Sequence, residues 1–232
     1  CYLPAKDEAV GTVVHFHGSD RNITYTVANS SWLCENGFNL FVFDYRGYGR
    51  SAGRPDRAGV VEDSVAAIKY IRSRPDVDTG KLCLWGQSMG GQLAIVAAEL
   101  AGTNGICAVV AEATYGSYPL QVRDKLSQMG PLWLLQWAAW LMTSREYSAE
   151  DCVAEIAPTP LLLVHGTADR GVLPYHSQRL YDRARQTKDL WLIEGARHLQ
   201  IFRTDTHRYE LLQYLRQACT ADEPPEFSDE NQ

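Results

Sequence analysis

What most limits the fold of this chain is a set of apolar runs of strand length that alternate with segments of helical periodicity. The runs are Thr12–His17, Leu40–Asp44, Lys81–Trp85, Ile106–Ala111, Pro160–His165 and Asp189–Ile193. Their Val, Leu, Ile and Phe occupy consecutive positions rather than alternate ones. A strand with one wet face alternates; a strand that is apolar throughout is covered on both faces, as in a parallel sheet flanked by helices. Helical periodicity occupies Thr24–Glu35, Arg57–Arg72, Met89–Leu100, Tyr175–Arg185 and Thr206–Ala218. Gly37, Gly80 and Gly102 stand where a helix stop or a following turn is needed. The pattern predicts an α/β chain with a mostly parallel central sheet and helices on both faces.

One interval breaks the alternation. About fifty residues separate Ala111 from Pro160, too long for an ordinary connection, and they carry a helical pattern of their own. Residues 116–150 therefore read as a helical cap inserted over one end of the sheet, with residues 1–115 and 151–218 as the core. Residues 219–232 contain five acids, two prolines and no base, the composition of a disordered tail.

Composition narrows the partners. The formal net charge is −6, and the arginines are scattered without a basic stripe, which argues against nucleic acid. The six cysteines include no C-x-x-C and no metal-ligand spacing, so buried reduced thiols are expected and neither a metal nor an organic cofactor is implied. The longest apolar run, Pro131–Met142, is too short to cross a bilayer. The chain opens at Cys1 with no apolar signal segment before it, so a processing boundary is favoured over a lipid-bearing cysteine. Cellular location stays open: a soluble domain, with an anchor in a segment absent from this sequence as the alternative.

The strongest chemical signal is Gly86-Gln87-Ser88-Met89-Gly90-Gly91, which follows an apolar strand and opens a helix. That context makes G-x-S-x-G a nucleophile elbow, in which a serine sits on a tight strand-to-helix turn that only small neighbours allow. Ser88 is the candidate nucleophile. Its partners should follow as acid and then histidine. Asp169 lies just past the strand ending at His165 and is the candidate acid, with Glu112 as runner-up. Of the later histidines, His176 and His207 fall inside helices, whereas His198 follows the last strand in a loop and is the candidate base. His15 and His17 precede Ser88 within a strand and read as structural. For an oxyanion hole the candidate backbone donors are the N–H of Met89 and that of Ser19, in the loop after the first strand.

Five segments carry a family resemblance: His15-Phe16-His17-Gly18, Phe43 through Ser51, Gly86 through Gly91, His165-Gly166-Thr167-Ala168-Asp169 and Gly195-Ala196-Arg197-His198. Together they resemble the α/β-hydrolase superfamily of serine hydrolases, and more narrowly the α/β-hydrolase-domain branch related to protein depalmitoylases and to monoacylglycerol and lysophospholipid lipases. The resemblance runs from about Gly11 to Leu215. It implies the α/β-hydrolase fold and a Ser88–Asp169–His198 triad. Two departures stand out. Members usually open with an antiparallel strand pair, and too few residues precede Thr12 for one, which points to a truncated N-terminus. Ser19 also replaces a frequent Asn.

For substrate, the inserted segment offers Trp133, Trp137 and Trp140 at i, i+4 and i+7, one face of a helix. The plain expectation is packing of the cap on the body. The sharper one is an acyl-binding slot or contact with a lipid surface, with Tyr115 and Tyr118 bordering the pocket. The expected activity is hydrolysis of carboxylic esters or thioesters, including acyl and lipid esters, by way of an acyl-enzyme on Ser88. The expected partner is thus a small-molecule ester or acyl substrate, with membrane contact through the cap or a missing N-terminal segment and no protein partner. One alternative is a peptidase of small peptides, with Arg123, Arg145 or Glu146 anchoring a charged terminus. Another is a non-catalytic ligand-binding homologue. A dehalogenase is excluded, since that chemistry wants an aspartate at position 88.

Overall fold

The computed structural model describes residues 1–221. A seven-stranded sheet forms the centre, built from β1 (Tyr2–Leu3), β2 (Gly11–Phe16), β3 (Phe38–Val42), β4 (Leu82–Gln87), β5 (Ile106–Glu112), β6 (Leu161–Gly166) and β7 (Lys188–Ile193). The order is β1-β3-β2-β4-β5-β6-β7. All neighbours are parallel except β1, which pairs antiparallel with β3 through Tyr2–Phe41 and Leu3–Leu40. The six longer strands match the six apolar runs. Strand β1 is two residues long and leaves no periodicity to detect.

Both faces of the central strands are covered, which is why their apolar residues occupy consecutive positions. Val14, Phe16, Leu84, Val109, Ala111 and Leu163 point into one core with α2 (Arg57–Arg72), α3 (Met89–Ala101) and α7 (Tyr175–Arg183). Val13, Cys83, Trp85, Val110, Leu162 and Val164 point into the other with α8 (Asp205–Thr220), partly buried side chains of α1 (Ile23–Ser30) and the 3₁₀ turn Ser31–Asn36. The expected helix Thr24–Glu35 is thus split into an α and a 3₁₀ piece. Helix α8 includes Cys219 and Thr220. The rest of the acidic C-terminal segment, residues 222–232, lies outside the described residues.

Between β5 and β6 the chain forms α4 (Tyr118–Ser127), a 3₁₀ run over Gly130–Ala138, α5 (Ala139–Met142) and α6 (Ala149–Cys152). The single α-helical face expected for the three tryptophans is not formed, because Trp133 and Trp137 lie in the 3₁₀ run and only Trp140 in α5. At three residues per turn, positions four apart no longer share a face. Nor do these side chains pack on the body: Trp133, Trp137 and Trp140 are 53%, 61% and 46% exposed. Pro131 in the first turn and Gly130 at φ +56° start this run, and no body surface lies against it to favour a regular amphipathic helix. Among the described residues no helix is long and apolar enough to cross a membrane.

Candidate active site

Ser88 stands between β4 and α3 with φ +55° and ψ −116°, a left-handed conformation rarely adopted by a residue with a side chain. The turn is held on both sides: Ser88 N–H donates to the Glu112 carbonyl at 2.8 Å, and Thr114 Oγ1 donates to the Ser88 carbonyl at 2.8 Å. The neighbouring glycines are steric requirements. A Cβ on Gly86 would lie 2.2 Å from the Gly90 carbonyl oxygen, and one on Gly90 would lie 2.0 Å from that of Phe16. A Cβ on Gly91 would meet Thr114 at 2.7 Å.

Asp169 and His198 come from the loops after β6 and β7, at the same C-terminal edge of the sheet as Ser88. His198 Nδ1–H donates to Asp169 Oδ2 at 2.6 Å, which leaves Nε2 without a proton when the ring is neutral. The other carboxylate oxygen accepts the N–H groups of Gly171 at 2.7 Å and Val172 at 3.0 Å. The Asp169 side chain is fully buried, whereas that of His198 is about one-third exposed at 31%. Burial works to raise the Asp169 pKa. Hydrogen bonds from His165 and His198, the His198 charge and the Val172 N–H outweigh it and hold the carboxyl well below the usual range. Among the described residues no hydrogen bond joins Ser88 Oγ to His198, a contact that often tightens only around substrate.

The runner-up acid faces elsewhere. Glu112, the last residue of β5, accepts Gln87 Nε2 at 2.7 Å, and its other oxygen is buried without a partner among the described residues. Burial raises its pKa to about 7, against the pull of Gln87 and His198. The other downstream histidines pair with other carboxylates, His176 with Asp124 at 3.1 Å and His207 with Glu210 at 2.7 Å. His15 is fully buried, and desolvation lowers its pKa to about 3, so the ring is neutral.

The loop after β2 runs beside Ser88. A Cβ on Gly18 would stand 3.6 Å from Ser88 Cβ, which places Ser19 next to the elbow, while Met89 opens α3 on its other side. The loop is braced by His17, whose Nδ1–H donates to the Gly18 carbonyl at 2.8 Å and whose Nε2 lies 3.4 Å from Asp44. Tyr115 is buried and packs edge-on against Tyr118 at 5.2 Å. Trp133, Trp137 and Trp140 face solvent. Among the described residues no cluster of three or more His, Cys, Asp or Glu side chains is arranged to hold a metal ion.

Three neighbours escaped the sequence reading. Thr114 braces Ser88 from the loop after β5. His165 sits 3.4 Å from Asp169 Oδ2 and bonds Ser177 Oγ at 2.6 Å, beside the Asp169 carboxylate. Tyr48 donates to Met89 Sδ at 3.9 Å. His165 and Tyr48 lie inside the recurring segments, which was the one available signal; Thr114 has none.

The prolyl oligopeptidase family model matches residues 24–217. Among curated proteins, the uncharacterized protein YfhR of Escherichia coli K12 is 35% identical over 215 residues, covering 91% of this chain and 72% of YfhR. Human protein ABHD12B is 29% identical over 184 residues, covering 75% of this chain and 49% of its own length. Among solved structures, a monoacylglycerol lipase from Paleococcus ferrophilus superposes with a TM-score of 0.67 at 20% identity, covering 94% of this chain and 98% of that one.

Proposed function

The chain belongs to the prolyl oligopeptidase family and has the α/β-hydrolase fold, and on that premise we propose that it hydrolyses carboxylic esters or thioesters through an acyl-enzyme on Ser88. The observation that carries this reading is the 2.6 Å Asp169–His198 pair on the same sheet edge as the strained Ser88. His198 Nε2 takes the Ser88 proton as Oγ attacks the acyl carbon, and Asp169 stabilises the imidazolium and fixes its tautomer. The developing oxyanion is met by the N–H groups of Met89 and Ser19. His198 then returns the proton to the leaving group, and water clears the acyl-enzyme by the same steps in reverse.

The family description favours a peptidase as the second reading. Against it, the two arginines that the sequence offered as anchors for a peptide terminus are engaged: Arg123 with Asp124 at 2.7 Å and Arg145 with Asp151 at 3.1 Å. The resemblance to a monoacylglycerol lipase supports an acyl substrate, and so does the inserted segment, here read as a cap over residues 116–150. Of the thirteen exposed large apolar side chains among the described residues, nine lie between Met129 and Met142, a patch suited to a lipid surface. The test is turnover of p-nitrophenyl esters from acetate to dodecanoate by the wild type and Ser88→Ala. Turnover of medium-chain esters that is lost in the variant is expected. Hydrolysis of small peptides without ester turnover would favour the peptidase. Persistence of activity in Ser88→Ala would overturn the assignment.

A further inference from the structure

The first helix of the inserted segment, α4, is fastened to the body along one face. Tyr118, Gln121 and Asp124 stand three residues apart, which puts them on neighbouring turns of that face. Tyr118 packs on Tyr115 at 5.2 Å and carries the Arg57 guanidinium over its ring, 4.3 Å from the centroid. Arg57 also gives Nη1 to the Ser144 carbonyl. Its Nε–Nη2 fork is buried and meets no acceptor among the described residues, unlike the forks of Arg46 on Asp63 and Arg179 on Glu150. Asp124 accepts His176 Nε2–H at 3.1 Å and the Tyr175 hydroxyl, both from the first turn of α7. Helix α4 is thus held near both ends.

The middle residue of the three reaches the proposed triad. Gln121 Nε2 donates to the Gly171 carbonyl at 3.0 Å, across 50 residues of chain. Gly171 in turn touches both members of the Asp169–His198 pair. Its N–H donates to Asp169 Oδ1 at 2.7 Å. A Cβ built on it would lie 3.1 Å from His198 Cγ and 3.4 Å from Cδ2, so its backbone forms a wall against the imidazole. The next carbonyl, that of Val172, pairs with His165 Nε2 of β6 at 3.0 Å. The loop that carries the acid is therefore gripped at two successive carbonyls, once from the sheet and once from the inserted segment. Packing alone does not call for an amide at position 121. Its Oε1 is buried without a donor among the described residues, a cost that an apolar side chain of the same length would not bear.

The geometry points to Gln121 as a positioning residue: its bond to Gly171 fixes the peptide that aligns His198 with Asp169, so the inserted segment sets the geometry of the base. The inference rests on the Ser88–Asp169–His198 reading and adds to it a part that lies outside the sheet and its loops. A shift of Gly171 moves the donor to Oδ1 and the wall of the ring together. His198 Nε2 then loses its alignment for the Ser88 proton, and a displacement of about 1 Å at such a point costs on the order of 100-fold in rate.

The test is Gln121→Met, which keeps the side-chain length, deletes the donor and removes the idle Oε1. Its melting temperature is expected within about 4 °C of the wild type. For p-nitrophenyl butyrate, kcat falls about 10- to 100-fold while KM stays within about twofold. The second readout is the His198 Nδ1 nitrogen chemical shift, measured by proton–nitrogen NMR through the non-exchanging ring protons, because it reports the bond to Asp169. It is expected to move part of the way towards its value in Asp169→Ala. A shift equal to that of the wild type overturns the proposal whatever the kinetics. So does a kcat within about twofold of the wild type, or a loss confined to KM, which would mark a substrate contact instead. If Gln121→Met does not fold, Gln121→Asn decides by the same readouts, since its amide stops one methylene short of the carbonyl. Fluorophosphonate labelling of the wild type reports on Ser88 separately. Absence of labelling would remove the hydrolase reading, and the nitrogen shift would still decide whether Gln121 holds the Asp169–His198 pair.

Discussion

Replacing Asp169 by Asn probes the proposed triad where its geometry is most determined. Two backbone N–H groups, from Gly171 at 2.7 Å and Val172 at 3.0 Å, converge on Asp169 Oδ1, and His198 Nδ1–H donates to Oδ2 at 2.6 Å. An amide has a single oxygen. The backbone donors belong to the loop itself and hold that oxygen in the Oδ1 position, so the NH₂ group takes the place of Oδ2. His198 Nδ1 must then accept instead of donate, and the ring proton moves to Nε2, the atom that has to receive the Ser88 proton. The base is lost without any change in side-chain size. The expected fall in kcat/KM for p-nitrophenyl butyrate is on the order of 10⁴-fold, about 5.5 kcal/mol of transition-state stabilisation. Stopped-time hydrolysis at pH 8 measures it, with a far-ultraviolet melt to establish that the variant is folded. Activity within about tenfold of the wild type would refute the reasoning and move the acid to another carboxylate.

Glu112 is the carboxylate that such a result would implicate, and it carries its own prediction. Its folded pKa of about 7 lies above the unfolded value of about 4.3, so the stability its proton contributes is complete below pH 4 and is lost as pH rises through 7. Glu112→Gln removes that decline, and the gain over the wild type between pH 5 and pH 8 is on the order of 3 kcal/mol in urea unfolding; an identical pH dependence in both proteins would count against it. Trp137, Leu141 and Met142 are 61%, 79% and 68% exposed, so replacing all three with Ser should leave unfolding free energy within about 0.5 kcal/mol while reducing binding to phosphatidylcholine vesicles by about tenfold or more. Undiminished vesicle binding would remove the lipid-surface reading of the patch.

The fold and the elbow were legible because their constraints are local and steric. Two-faced burial favours apolar residues on both faces of β2, β4 and β6, and that leaves consecutive apolar positions rather than an alternation. Gly90 is required by a carbonyl that a Cβ would approach to 2.0 Å, and no other residue meets that demand. The candidate acid and base could be placed together from their position just past strand ends, because a parallel sheet brings those ends to one edge. The inserted segment was misread as a regular helix because its apolar spacing fits a period of 3.6, whereas a helix of that length holds its shape only against a packed surface, and here the tryptophans face solvent.

What no local pattern records is an interaction that is missing. In sequence Arg57 is an ordinary first residue of a helix, indistinguishable from Arg46 or Arg179 before the chain is folded. Only the arrangement of Ser144, Tyr118 and Asp56 around it leaves its fork without an acceptor, and these residues lie as much as 87 positions away. The same asymmetry separates chemistry from specificity across the molecule. The reacting groups need strict neighbours and so imprint themselves on the sequence, while the surfaces that choose a substrate are assembled from distant residues, each individually replaceable.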